Sequence, residues 1–551
     1  MSRRNPLRLL SATLLLLVGA VFSDRQTEAQ VRRGGTAVVA LSFDPATMNP
    51  LATTTADAQS IQRELLFAAL IKYDTRLRPV PWLAERWDTV RVGRDSLDLT
   101  FHLRRDVRWH DGQPVTAEDV RWTFERAVNP RTGFIGASWF GLYRPRGEVL
   151  SPYTIRFRLR RHADFLDGWR LMPPVPSHIL GNVRPEQLAS HPFGTRTLVG
   201  NGPFRFARRT PGQEWVFEAN PQFPSALGGR PLLDRVVFRS IPDATTRLTE
   251  LLTGGIDVAN PVQPVDAARL QPAQRVRAIS SPTLNWTFIA WNTRLPFFDT
   301  PEERQALTMA LDRRQITSAI TSGTGIAGRS LVTPSHWAFS GSDPRAALTF
   351  DQAAARRLLA AAGWQDRNGD GVLEDVSGRP FRFTIKTLQG NASMQDAATI
   401  AQAQLRQIGV AVQIQTLEAA TLISQFEGAE SASGQRQRNF EAVTLSWSDA
   451  FRKDDSQILH SRNRNGPRFW TGYSHPRLDQ LIDTLSVIVN RDVARPLWSE
   501  DQRHLAQAAP FSVLYYPKRT IGVRTRLRGV EMDARGEYIT VQRWWLAPQR
   551  Q

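Results

Sequence analysis

The 551-residue chain contains no cysteine. That absence removes thiol nucleophiles, disulfides, iron–sulfur clusters, thiolate zinc sites and a lipidated N-terminal cysteine. Lysine is scarce as well: Lys72, Lys386, Lys453 and Lys518 are the only lysines among 70 Lys+Arg, so the basic charge is carried by arginine. Signatures of catalysis are missing too. There is no HExxH, no GxSxG and no GxxxxGK[ST], and the nine histidines are scattered without metal-ligand spacing. Gly323 to Gly328 spells GxGxxG, but it follows a helical pattern instead of a strand and opens no helix, so it reads as a connecting loop. Beyond the N-terminus no apolar stretch approaches the roughly 18 residues of a membrane span.

What is present is globular composition, 41% hydrophobic and 22% charged, with a net charge of +18 and a pI near 11.1. Length predicts roughly three to four domain-sized units or one intertwined body. Such a basic balance suits nucleic acid or anionic surfaces, but it also follows from arginine-rich coding. The N-terminus restricts the choice. Arg3, Arg4 and Arg8 precede an apolar run from Leu9 to Phe22, followed by Thr27-Glu28-Ala29, the layout of a cleavable export signal over residues 1–29. An uncleaved anchor is the alternative, and both the general secretory and the twin-arginine routes stay open. Export without a lipidated cysteine predicts a free periplasmic protein and removes most nucleic-acid roles.

Local patterns are mixed α and β, without a visible linker or repeat. Leu97, Leu99, Phe101 and Leu103 alternate with polar residues, as do Ile155, Phe157 and Leu159, predicting half-buried strands whose outward Arg156, Arg158 and Arg160 form a solvated face. Thr116 and Asp119 open a helix that ends near Asn129-Pro130, and Arg304 to Ile320 reads as another. Helices follow after Asp351, closed by Gly363, and over 393–408, closed by Gly409; Phe381–Ile385 and Val410–Ile414 read as strands. These form a βαβ-type unit. Glu427–Arg438 reads as an exposed loop. Asp366, Asn368 and Asp370, with Gly371 behind them, copy the start of an EF-hand calcium loop, but Ser377 stands where the bidentate glutamate belongs. Structural calcium and a plain Asx-rich turn both remain open.

Longer motifs carry more. In order, they include Asp44-Pro-Ala-Thr-Met-Asn-Pro50, Pro81-Trp-Leu-Ala-Glu-Arg-Trp87, Phe101 to Val120 with Trp109-His-Asp-Gly-Gln-Pro-Val-Thr-Ala-Glu-Asp-Val120, Gly200-Asn-Gly-Pro-Phe204 and Tyr473-Ser-His-Pro476. In this series the chain resembles the extracellular solute-binding proteins, family 5, that serve peptide, dipeptide and nickel importers of the ABC class. The resemblance implies an α/β, two-lobed periplasmic-binding-protein (Venus-flytrap) fold with mixed sheets and an extra domain. It places domain I at 30–78, 197–285 and 513–551, domain II at 79–196 and domain III at 286–512. It implies a monomeric receptor that closes on an oligopeptide or similar small solute and presents it to ABC permease subunits, with no cofactor, no nucleic acid and no catalysis.

The same resemblance nominates ligand-binding residues. Family members that bind peptides carry a Trp followed three residues on by an Asp that holds the peptide's α-ammonium. Trp447 fits, but position 450 is alanine and the nearest acid is Asp449. Phe43, Asp44 and Tyr516 match segments that approach the cleft, and Arg452 sits beside Asp449 where it could meet a carboxylate. An exported cationic protein binding polyanionic cell-surface polymers is the alternative, with salt-sensitive binding as its mark.

Overall fold

The computed structural model describes residues 32–53, 55–270, 275–431 and 434–548; the export signal at 1–29 lies outside them. Three principal sheets organise the chain. The first has seven strands in the order Val276–Pro282, Lys518–Arg524, Val258–Asn260, Thr36–Leu41, Arg235–Ser240, Glu214–Ala219 and Phe204–Thr210, parallel at its centre and antiparallel toward both edges. The second has six: Ile326–Ala327, Phe511–Tyr516, Asn285–Trp291, Ala442–Ser448, Arg382–Leu388 and Ala411–Leu417. The third is an antiparallel four-stranded sheet, Ala84–Val92, Ser96–Leu103, Thr154–Arg160 and Tyr143–Ser151, inserted in the first lobe.

Two short crossings join the lobes. Strand Val276–Pro282 leaves the first sheet and re-emerges as Asn285–Trp291 in the second; Phe511–Tyr516 leaves the second and continues as Lys518–Arg524 in the first. Thr283 Oγ1 donates to the Pro517 carbonyl at 3.0 Å, tying the crossings together. The return to the first lobe therefore comes at Pro517, not at 513, because Phe511–Tyr516 pairs with Asn285–Trp291. Likewise Pro79–Pro81 pairs with Ile71–Tyr73 in one hairpin, and the inserted sheet starts only at Ala84.

Local reasons for these elements are visible. Asp119 accepts from the Thr116 and Ser177 backbone N–H at 2.9 Å each and from Trp109 Nε1 at 3.2 Å, so one buried carboxylate caps helix Ala117–Val128, ties together the two ends of the Trp109–Val120 block and fastens it to the distant Ser177. Strands Arg382–Leu388 and Ala411–Leu417 pair in parallel around helix Ala392–Arg406, the βαβ unit that the alternation predicts. The predicted helix 304–320 divides in two, Pro301–Met309 and Arg313–Thr321, because the Asp312 carboxylate accepts from the Arg314 and Gln315 N–H groups and starts the second. The stretch expected as a loop near Glu427–Arg438 contains a short ladder, Ala429–Glu430 against Arg436–Gln437. On the inserted sheet, Arg158 forms a bidentate pair with Asp98 at 2.7 and 2.8 Å and Arg156 meets Glu148 at 2.7 Å, so two outward arginines are matched across the strands.

The first lobe and the insertion share one large hydrophobic core, beside a smaller first-lobe cluster around Leu251, Ile256 and Leu270, whereas the second lobe builds three of its own. One side chain breaks that division: Phe451, from the second lobe, is 5% exposed and belongs to the first lobe's core. No helix among the described residues is long and apolar enough to cross a membrane.

Candidate functional site

Strand Ala442–Ser448 runs out of the second sheet into the loop Asp449–Asp455, which carries three of the nominated residues or lies beside them. Trp447 lies opposite Trp286 in the ladder, its ring packed edge-on to Trp470 at 5.0 Å with the Arg468 guanidinium 5.2 Å from its centroid. It is half-buried at the rim of the second lobe's core.

Asp449 is not an open anion. Both its oxygens accept from Lys453 Nζ, at 2.9 and 3.0 Å, and the same ammonium meets Asp455 at 2.9 Å and the Leu331 carbonyl at 2.9 Å. The three side chains are almost sealed, with Lys453 wholly inaccessible. Burial works against the Lys453 charge, yet the carboxylates of Asp449 and Asp455 outweigh it and hold its pKa above the usual lysine range. Burial raises both acids, Asp455 to about 6. A ligand ammonium directed at Asp449 would have to displace Lys453. The spacing of four residues is the signal that could have revealed this pair.

Arg452 reaches the other way. Its Nη2 donates to the Leu485 carbonyl at 2.9 Å and its Nη1 to His162 Nδ1 of the insertion at 3.4 Å, while Ala163 N donates to the Ser486 carbonyl at 2.8 Å. Burial, reinforced by Asp167, pushes the nearby Asp164 carboxyl up to about 8, and burial lowers His162 to about 4. Both shifts favour the neutral form, which lowers the cost of enclosing these groups.

Phe451, missed in the sequence, makes an apolar contact between the lobes. Its ring meets Tyr73 edge-on at 5.1 Å, and the Arg170 guanidinium lies 3.9 Å from its centroid. Beside it a cavity of about 50 Å³ is walled by Glu64, Lys72, Tyr73, Arg170, Phe451 and Arg535, thus by both lobes and the insertion. Lys72 is paired with Glu64 at 2.8 Å and Arg535 with Asp533 at 2.6 Å. Arg170 is looser: its Nε lies 3.8 Å from Asp167 and is buried without a hydrogen bond.

Asp44 and Tyr516 are held by contacts within their own lobes. Asp44 accepts from Trp215 Nε1 at 2.8 Å and from Arg209 Nη2 and Gly212 N at 2.9 Å each, which pins its loop to the hairpin Phe204–Ala219. Burial favours its neutral form, but these three donors win and keep its pKa below the usual carboxylate range. Phe43, next to it, is half-buried. Tyr516, expected near the cleft, is 1% exposed in the second lobe's core; its hydroxyl donates to the Ser330 carbonyl at 2.7 Å and accepts from the Ser330 and Arg329 N–H groups. Both faces of strand Phe511–Tyr516 are covered, so neighbouring Tyr515 and Tyr516 are buried in different clusters of the second lobe.

In the candidate calcium loop, Asp366, Asp370 and Glu374 each place a carboxylate oxygen within 4.8 Å of the others. Asn368 turns its amide to Glu374 at 2.7 Å and accepts from Asp370 N. The acids also accept the N–H groups of Arg367, Gly369, Gly371 and Val372, so the loop is closed by its own hydrogen bonds.

Two lobes joined by two adjacent crossings, with a side chain of one seated in the core of the other, define a two-lobed periplasmic-type binding protein. The family model for bacterial extracellular solute-binding proteins, family 5, matches residues 78–467, and the chain belongs to that family. It is 28% identical over 530 residues to the oligopeptide-binding protein AppA of Bacillus subtilis, covering 95% of this chain and 94% of that one. It is 27% identical over 512 residues to the dipeptide-binding protein of Escherichia coli, covering 88% and 89%. Among solved structures, AppA of Bacillus subtilis in complex with a nonapeptide superposes with a TM-score of 0.73 over 94% of this chain and all of that one. NikZ of Campylobacter jejuni in complex with Ni(L-His), 22% identical, shares the fold at a TM-score of 0.72, covering 93% and 99%.

Proposed function

We propose that this protein is a periplasmic receptor that captures a peptide between its two lobes and delivers it to the permease of an ABC importer, without catalysis of its own. The observation that carries the reading is Phe451. A second-lobe ring buried against Tyr73 and Arg170 gives closure an apolar contact that opening would expose, so a ligand that bridges the lobes shifts the balance toward the closed form. The peptide ligands named for relatives over nearly the whole chain support the same ligand class. Because Asp449 is held by Lys453, the reading places little weight on a free amino terminus.

Mass spectrometry of compounds released by denaturing the native, unwashed protein tests it. Short peptides are the expected release, and the same peptides should raise the melting temperature of the stripped protein in a saturable manner. Release of a single non-peptide solute would redirect the substrate class. Binding only to polyanions, collapsing with added salt, would overturn the receptor reading in favour of a surface-binding protein.

A further inference from the structure

Outside the Tyr73–Phe451 contact a groove of about 480 Å³ runs along the seam between the lobes. Arg76 and Arg78, three and five residues beyond Tyr73, form one wall; Trp337, Arg491 and Arg495 of the second lobe form the other. His336 in its lining donates from Nε2 to the Phe451 carbonyl at 2.8 Å and accepts at Nδ1 from Ala338 N at 3.2 Å, and burial lowers its pKa to about 3. The groove thus continues directly from the residue that closes the cleft.

Its charge is unbalanced. Asp74 is spent on Arg78, accepting from its Nε at 2.8 Å and from the Arg76 and Arg78 N–H groups at 2.9 Å each. Arg491 donates to the Arg76 carbonyl at 2.8 Å and to the Leu77 carbonyl, and its guanidinium lies 4.8 Å from the Trp337 centroid. Those neutral acceptors orient the cation and leave its charge uncancelled. Among the described residues Arg76, Arg491 and Arg495 form no ion pair with a carboxylate, and the single acid in the lining is the exposed Asp492. Three guanidiniums and an indole, drawn from both lobes and assembled only when these meet, suit a planar carboxylate held in bidentate fashion.

We propose that this seam groove binds acidic side chains of the ligand, so that the receptor selects peptides rich in Asp and Glu; the proposal rests on the peptide-receptor reading above. An acidic residue emerging beside Phe451 would bridge Arg76 of one lobe and Arg495 of the other, adding to the closed state contacts that the open state lacks. The arginine-rich surface would also speed the encounter with anionic ligands at low salt.

The test is competitive retention from an equimolar pool of short random peptides at limiting protein, read by mass spectrometry for the wild type and for Arg76→Gln/Arg495→Gln. Both positions are exposed, so the fold should tolerate the change. The wild type should enrich Asp/Glu peptides about tenfold over their Asn/Gln counterparts, and the double variant less than twofold, with similar total peptide retained. Retention without acidic enrichment, or enrichment that survives in the variant, overturns this proposal alone. No retained peptide of any kind overturns the receptor reading and this proposal with it. Hexaglutamate binding sensed at Trp337, and lost in Trp337→Phe, without acidic enrichment in the pool, would assign the groove to an acidic partner protein and overturn the ligand assignment.

Discussion

Asp44 in the first lobe and Asp449 in the second are both acids at positions the family resemblance brings toward a cleft, yet their surroundings differ. Asp44 is met by an indole N–H, a backbone N–H and a guanidinium, three donors that favour its charge. Asp449 has a single ammonium, shared with Asp455 in a sealed pocket, and burial pushes both acids upward. The first arrangement fastens a loop with dispersed hydrogen bonds; the second balances two buried negative charges on one positive charge. A carboxylate near a cleft is therefore not evidence of a ligand anchor until its partners are counted.

Three measurements sharpen the contrast. Replacing Lys453 with Met should have the largest effect, about 3–5 kcal/mol of stability in denaturant titration, because two buried acids lose their partner. Lys453→Met/Asp449→Asn/Asp455→Asn should recover more than half of that loss; if it recovers none, charge balance is not what the ammonium supplies. Asp44→Ala should cost about 2 kcal/mol by leaving its donors unmatched, without changing the peptide affinity of the folded protein. A changed affinity would return Asp44 to the binding site.

The smallest effect separates the two acids by pH. The raised pKa of Asp455 means that the native state binds the extra proton, so its influence weakens stability as pH climbs from about 4 to about 6 and is constant above. The lowered pKa of Asp44 has the opposite sign: its contribution is complete above about pH 4 and is lost as pH falls through the folded value. Between pH 7 and pH 5, Asp455→Asn should gain about 1 kcal/mol less stability than the wild type, whereas Asp44→Asn should match the wild type over that interval. Equal gains in the wild type and Asp455→Asn would sink the assignment of the buried pair.

Much of the scaffold was legible because it rests on short-range rules. The alternation at Phe381–Ile385 and Val410–Ile414, the capping acids Asp119 and Asp351, and the stop at Gly409 each depend on neighbours within a few residues, and each recurs in the structure. The continuous helix expected over 304–320 failed by the same kind of rule, since Asp312 competes for backbone N–H groups in mid-run. Of the nominated site residues, Trp447, Asp449 and Arg452 do lie on one strand and its following loop; Asp449 finds Lys453 within that loop, whereas Trp470 and His162, which meet Trp447 and Arg452, come from other segments.

By itself the sequence determined composition, export pattern, the run of strands and helices, and the ordered motifs that place the chain in its family. Those properties are read from local periodicity and residue order. Only the tertiary structure decided that Phe451 packs into the first lobe's core, that Tyr516 is enclosed in the second lobe's core and that four arginines from two lobes line one groove. The physical reason is distance along the chain: Tyr73 and Phe451, or Arg76 and Arg491, become neighbours only when two separate sheets fold and meet, and no periodic pattern records that meeting.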